Sequence, residues 1–479
     1  MRKHKLPLIL ASSLSLFATA HAAPRAENHG NSFTRADLAA AATLRERAMS
    51  DSTAYQLVES LTTEVGPRPA GSAGDRAAVA WAQREMQRLG FANVHTVPAA
   101  VPHWVRGEAE FAVLTPWPQT MPTLVLGGSV GTGSEGLETD AVMVKDLDAL
   151  AQLPAGAVKD KIVFFTLRME RTRDGAGYGK AVMVRAAGPS AASALGAIGV
   201  VIRSISTSNT RFPHTGATRY TTTSPRIPAF AISNPDADAL ERQFASRKPV
   251  RLKMRSTSRD LPPAQSANVV GDIPGTDRAD EIVILGAHLD SWDPGVGAID
   301  DGAGVAIVMG VARLIGSLDV KPHRTIRVVL FANEEFGTSG SQAYVAAHQA
   351  DVDKHVIGFE ADLGAGPVWR LSSRVNPQQL PAVDQIFKAL APFKLARGDN
   401  EAHGGSDLDG LAQAGMAILE PDLDASVYFD VHHTANDTMA QVDPANLRQS
   451  VAAFAASAWL AAQYPGNWDR VETTKPPKK

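Results

Sequence analysis

The 479-residue chain contains no cysteine, so disulfides and a lipid-anchored cysteine are both excluded. Charge of one sign is also lacking. The formal net charge is −3, with 47 Lys and Arg against 50 Asp and Glu, which offers no electrostatic footing for nucleic acid or an anionic membrane. Basic runs with interleaved aromatics are missing, which sets nucleic acid aside a second time. Beyond the N-terminus no long uncharged apolar run occurs, so no membrane span is expected. The chain also lacks Gly-x-Ser-x-Gly, which argues against a serine hydrolase, and His-Glu-x-x-His, which argues against a helix-borne single-zinc site. Gly175-Ala-Gly-Tyr-Gly-Lys180 has the wrong spacing for a phosphate loop and reads as a flexible loop.

What is present begins with an export signal over residues 1–22. Arg2, Lys3 and Lys5 form a charged end, Leu6 to Ala20 an apolar stretch, and Ala20-His21-Ala22 a small-residue cleavage site. A secreted or periplasmic protein without disulfides suggests a bacterial one, whose stability rests on its core and on bound metals. Hydrophobic residues at 44 % and charged residues at 20 % are ordinary for a globular protein, and the length allows two or three domains.

Helical periodicity runs from Asp37 to Met49, Asp51 to Leu61 and Asp75 to Leu89; Phe91 to Val97 and Glu108 to Leu114 read as strands. Between about 126 and 262 Gly, Ser, Thr and Pro become dense and short apolar strands appear, which marks an inserted domain with a Pro-rich exit at Leu261-Pro262-Pro263. From 263 onward strands alternate with helices: strands at 281–287, 325–332, 355–360 and 416–419, helices at 302–318, 339–348, 381–390 and 444–463. The expected fold is α/β. A mostly parallel sheet flanked by helices is built from residues 24–125 and 263–479, and 126–262 form a small inserted β/α domain.

Chemistry-bearing residues fall where such a sheet binds ligands, beyond the carboxyl ends of its strands. They are His288 and Asp290, Asp300 and Asp301, Glu334 and Glu335, Asp362, and His432 and His433. Taken singly, each has a structural reading: a solvated loop carboxylate, or a helix N-cap for one of the Asp pair. The ordered series points instead to imidazole and carboxylate ligands for two zinc-like cations, with one carboxylate to bridge them and another, not a ligand, to move the proton.

Gly286-Ala-His-Leu-Asp-Ser-Trp-Asp293, Gly297-Ala-Ile-Asp-Asp-Gly302, Asn333-Glu-Glu-Phe-Gly337 and His432-His-Thr-Ala-Asn-Asp-Thr438 resemble the motifs of the co-catalytic zinc exopeptidases. Pro213-His-Thr-Gly216 adds a likeness to the carboxypeptidase Q branch, and the insert is similar to a protease-associated domain. The resemblance implies a dizinc site in which His288 and Asp362 each hold one ion and Asp300 bridges them. Glu335 then completes one ion's shell and His433 the other's. It further implies Glu334 as general base, His432 as a donor to the oxyanion and Asp290 as the partner orienting His288. Ala402-His-Gly-Gly-Ser-Asp407 matches another segment of that branch, which makes His403, with Asp407, the candidate for gripping a peptide terminus. Short peptides are the implied substrates and a homodimer the implied assembly. Aminopeptidase and dipeptidase or carboxypeptidase readings stay open, and the alternative from another class is a receptor-like binding protein that retains the metal site.

Overall fold

The computed structural model describes Met1 and residues 32–472. The expected export signal, Met1 apart, therefore lies outside the described residues. Among them no helix is long and apolar enough to cross a membrane.

Two eight-stranded sheets organise the chain. The first contains β1 (Ala92–Val105) and, after a long excursion, β10 (Arg259–Ile273), β11 (Arg278–His288), β12 (Arg324–Phe331), β13 (His355–Glu360), β14 (Val368–Arg374), β15 (Ala396–Arg397) and β16 (Ala417–Leu423). Its order is β1-β10-β12-β11-β13-β16-β14-β15, and β12, β11, β13 and β16 run parallel. The central strands read as unbroken apolar runs because both faces are covered. Val283, Leu285 and Ala287 join the core cluster that includes the helices Ala303–Gly316 and Pro444–Gln463. The alternating Ile282 and Ile284 face the opposite cluster, with Tyr344, Leu408 and Leu411. Both helices are apolar around nearly their whole circumference, as a helix must be when it is packed on every side.

The second sheet contains β2 (Ala109–Thr115), β3 (Gln119–Thr120), β4 (Thr123–Val125), β5 (Leu137–Val144), β6 (Ile162–Phe165), β7 (Gly199–Arg203), β8 (Ala229–Ile232) and β9 (Arg251–Ser256). It differs from the sequence reading at both ends. β2 to β4 belong to this sheet rather than to the first, so the crossing comes after Val105 and not at 126. The Pro-rich segment at 261–263 is no linker but part of β10, which pairs with β1 across an irregularity between Val101 and His103. Proline lacks the ladder donor, and a bulge beside the edge strand is where a sheet tolerates it. The glycine-rich segment read as a loop is also corrected: residues Ala176–Ala186 form a helix. Its Ala181 and Val184 are buried in the core, and Gly177 packs so tightly on the Glu170 carbonyl that no Cβ would fit. Packing here overrides the low helix propensity of glycine.

Candidate active site

The parallel strands deliver the series to one place. His288 ends β11, Glu334 and Glu335 follow β12, Asp362 follows β13, and Asp300 sits in the turn that opens the helix Ala303–Gly316. His432 and His433 come after β16, just past a short helical turn at Tyr428–Asp430.

Asp300 is the hinge of the arrangement. Its Oδ1 lies 3.1 Å from His288 Nε2 and its Oδ2 lies 3.2 Å from His433 Nε2. Asp362 Oδ1 is 3.5 Å from His288 Nε2, and Glu335 Oε2 is 2.9 Å from His433 Nε2. By these distances His288 stands with Asp362 and His433 with Glu335 about one shared carboxylate, a different pairing from the one the resemblance implied. Adjacent Asp301 turns the other way. It accepts from the backbone N–H of His288 at 3.1 Å and of Gly304 at 3.0 Å, which is helix-capping work and leaves Asp300 free.

The donor set suits a cation pair. Asp300 Oδ2 and Glu335 Oε1 are buried without a hydrogen-bond partner, although imidazole lies within ion-pair range. Burial, with Asp300 adding to it, pushes Glu335 up to about 8. Burial likewise pushes Glu334 up to about 7, with Asp362 and Asp290 adding to it. His288 and His433 are pushed well up, because the surrounding carboxylates outweigh the burial that opposes their charge. Asp300 goes the other way: burial opposes its charge, but the two imidazoles hold it well below the usual carboxylate range. One carboxylate kept ionised among others driven toward protonation, with imidazoles driven toward the cation, is the pattern of a site shaped for positive charge.

Second contacts hold the candidate ligands in place. His288 Nδ1 lies 3.1 Å from the Asp290 backbone carbonyl, whereas the Asp290 carboxylate is 3.6 Å away, too far for a hydrogen bond. That carboxylate instead accepts from the Glu334 backbone N–H at 3.0 Å, so Asp290 supports both the ligand and the expected base. Trp292 Nε1 donates to Glu335 Oε2 at 2.5 Å. Asp437 accepts from the N–H groups of Ile299 and Asp300 and so fixes the turn that carries the shared carboxylate. Fully buried Arg68 braces the same turn from below, donating to the carbonyls of Leu289, Val296 and Gly297. Nothing in the sequence of residues 66–71 signals a contact more than 200 residues away. His433 Nδ1 lies 3.2 Å from the Thr215 carbonyl, so the inserted region contributes a contact to one candidate ligand.

A cleft of about 1290 Å³ opens over this cluster, lined on one side by Asp300, Glu334, Glu335 and Asp362 and on the other by Tyr178, Arg185 and Thr218. His432 lines it too, stacked on His433 at 4.1 Å. Both its ring nitrogens are unpartnered, and burial beside His433 and His214 keeps it neutral. Two residues expected at the substrate stand elsewhere. His403 is exposed, faces Glu420 and is absent from the cleft lining. Asp407 is buried beside Glu360 and Glu334, with both carboxylate oxygens unpartnered.

Residues 268–458 match the model of peptidase family M28. The mouse (Mus musculus) carboxypeptidase Q is 31 % identical over 410 residues, 85 % of each chain. This chain belongs to peptidase family M28. A crystal structure of a peptidase M28 precursor from Shewanella amazonensis superposes with a TM-score of 0.90 at 43 % identity, covering 92 % of this chain and 99 % of that one. A zinc aminopeptidase from Bacillus subtilis shares the fold, with a TM-score of 0.60 at 20 % identity over 88 % and 97 % of the two chains. As an M28 member the chain is an enzyme, a zinc exopeptidase of the zinc exopeptidase fold.

Proposed function

We propose that this exopeptidase carries two zinc ions and removes terminal residues from short peptides, dipeptides included, in an exported compartment. The observation that carries the reading is the convergence of His288 and His433 on the two oxygens of Asp300. His288, Asp362 and Asp300 would hold one ion; His433, Glu335 and Asp300 the other. When bound, the pair supplies Lewis-acid polarisation of the scissile carbonyl and a water acidified enough to attack at neutral pH.

Glu334 is the general base in this reading. It lines the cleft, and its backbone is pinned by Asp290. A cleft-lining carboxylate next to the shared site is placed to take a proton from water and pass it to the leaving amine. Its carboxylate also comes within ligand range of His288 and Asp362, so its role as base rather than ligand is a testable choice. His432, neutral and with free ring nitrogens, faces the cleft as the donor to the developing oxyanion. The inserted region closes the other wall, as a separable domain of protease-associated type that shapes access. Export rests on the signal pattern of residues 1–22. A binding-only role would suit a chain that had lost its base, and Glu334 is in place.

Elemental analysis together with turnover of a dipeptide panel tests the proposal. Two zinc ions per active chain and cleavage that requires a free terminus are expected. One metal or none in active protein, or efficient cleavage inside a peptide blocked at both ends, would overturn it.

A further inference from the structure

One hydroxyl at the cleft has nothing in the protein to bond. Tyr428 is 7 % exposed and lines the cleft with Asp300, Asp362 and His432. No described residue donates to its hydroxyl or accepts from it. Fully buried Tyr344, by contrast, has its hydroxyl 2.9 Å from His355 Nε2, and the Tyr178 hydroxyl, also at the cleft, accepts from Arg185 at 2.6 Å. An enclosed phenol normally finds a partner, and one left open to a cleft is completed by what enters.

The charges acting on this hydroxyl are those of the site. Burial pushes the phenol well up, and Asp300, Asp362 and Glu335 add to that in turn. The hydroxyl thus stands in the field of three carboxylates that would hold the metals. A phenol is a donor at neutral pH without any shift.

The ring is held in place. A Cβ on Gly364 would fall 2.7 Å from Tyr428 Cδ2, so glycine at 364 makes room for it. The ring centroid lies 5.0 Å from that of His432 and 4.8 Å from that of Phe429. Tyr428 opens the turn Tyr428–Asp430, and its carbonyl accepts from the His432 N–H at 3.0 Å. The inserted region braces this turn: Ser206 Oγ donates to the Phe429 carbonyl at 3.0 Å and Thr207 Oγ1 to Asp430 at 2.7 Å. One short segment therefore fixes both His433 and the hydroxyl, the preorganisation that a donor to developing charge requires.

We propose that Tyr428 donates a hydrogen bond to the oxygen of the scissile carbonyl as it becomes an oxyanion, a second donor beside His432. The inference rests on the exopeptidase reading above. As water adds to the carbonyl carbon, one of its protons passes to Glu334 and the π pair moves to the carbonyl oxygen. That pair returns when the C–N bond breaks, and the amine leaves with the proton from Glu334. Tyr428 keeps its own proton throughout.

The test uses Tyr428→Phe in the zinc-loaded full chain, a change that removes one oxygen and no hydrogen bond within the protein. Elemental analysis should find the metal content of wild type. For a dipeptide, kcat should fall roughly 10- to 100-fold with KM little changed, the range for a hydrogen bond to a charged group. A phosphinate analogue of that dipeptide, tetrahedral at the scissile position, should lose affinity by the same factor, while the product amino acid binds as before. The pH profile of kcat should keep its shape, because the phenol lends a hydrogen bond and not a proton. An unchanged kcat, an unchanged phosphinate affinity, equal weakening of phosphinate and product, lost metal or a lost basic limb each overturns this inference and leaves the exopeptidase standing. Wild type that cleaves no peptide with a free end overturns both.

Discussion

Replacing Arg68 with methionine should make folding depend on metal. The guanidinium is fully buried and donates to Leu289 O at 2.6 Å, Val296 O at 2.7 Å and Gly297 O at 2.8 Å, with Gly66 O at 3.3 Å. Those carbonyls belong to the end of β11 and to the turn that carries Asp300. Asp437, Asp290, Asp301 and Asp300 all lie within its field. Methionine fills much of the volume but leaves the carbonyls unpaired at roughly 1–3 kcal/mol each. It also removes a cation from a buried acidic cluster, a change that costs about 3–5 kcal/mol when one partner is deleted. These costs overlap, so a net loss of about 5 kcal/mol is expected in metal-free protein, a large part of the ~5–15 kcal/mol that holds a typical protein folded. Bound zinc offsets much of this by mass action, about 4 kcal/mol at a thousand times Kd. Urea unfolding with and without a chelator reads both terms. Arg68→Met should stay folded when zinc-loaded and unfold largely on chelation, under conditions where metal-free wild type keeps its structure. Equal small shifts in the two states would refute the idea that Arg68 serves the cation frame.

Other expectations are shorter. Glu334→Gln should keep both metals and lose roughly 10²–10⁴-fold in kcat; loss of metal instead would make Glu334 a ligand. Asp300→Asn removes the shared carboxylate and should cost both ions, read by elemental analysis after dialysis. Removing metal from wild type with a chelator should abolish turnover, and added zinc should restore it. His355, buried at the start of β13 with Nε2 2.9 Å from the Tyr344 hydroxyl, is pushed down by burial to about 4. The unfolded ring protonates first, near 6.5, so its share of stability is complete above that pH and is lost as pH falls toward 4. The loss is about 3 kcal/mol, and His355→Gln should remove that part of the acid limb in denaturation midpoints taken from pH 7 to 4.

Legibility in the sequence followed burial. β11, β12 and β13 announce themselves because strands covered on both faces are apolar without alternation, and the residues that follow them are the ones the structure gathers. The helix Pro444–Gln463 has the bounds expected from its proline and periodicity. The helix Ala176–Ala186 was hidden, because its glycines read as a breaker while the packing that rescues it comes from distant residues. Which imidazole meets which carboxylate was equally hidden. It depends on the path from β16 to His433, where the backbone turns through φ 62° at His433 itself. Arg68 and Thr215 carry no local signature at all; their partners at the site lie far off in sequence.

The register of β1 against β10 says something about ancestry and engineering. Val105 stands opposite Arg259, the last pair of an antiparallel ribbon that begins at Ala92 and Asp272. Facing residues of such a pair lie about 5 Å apart, a gap that a two-residue turn closes. The whole second sheet is thus hung on the tip of a hairpin, and grafting Asn-Gly between 105 and 259 would leave the first sheet's strand order untouched. A minimal peptidase of that kind would lack the carbonyl behind His433 and the far wall of the cleft. A chain rebuilt in this way would test whether what sits at the hairpin tip, and with it the choice of substrate, exchanges without rewiring the strands that end at His288, Glu334 and Asp362.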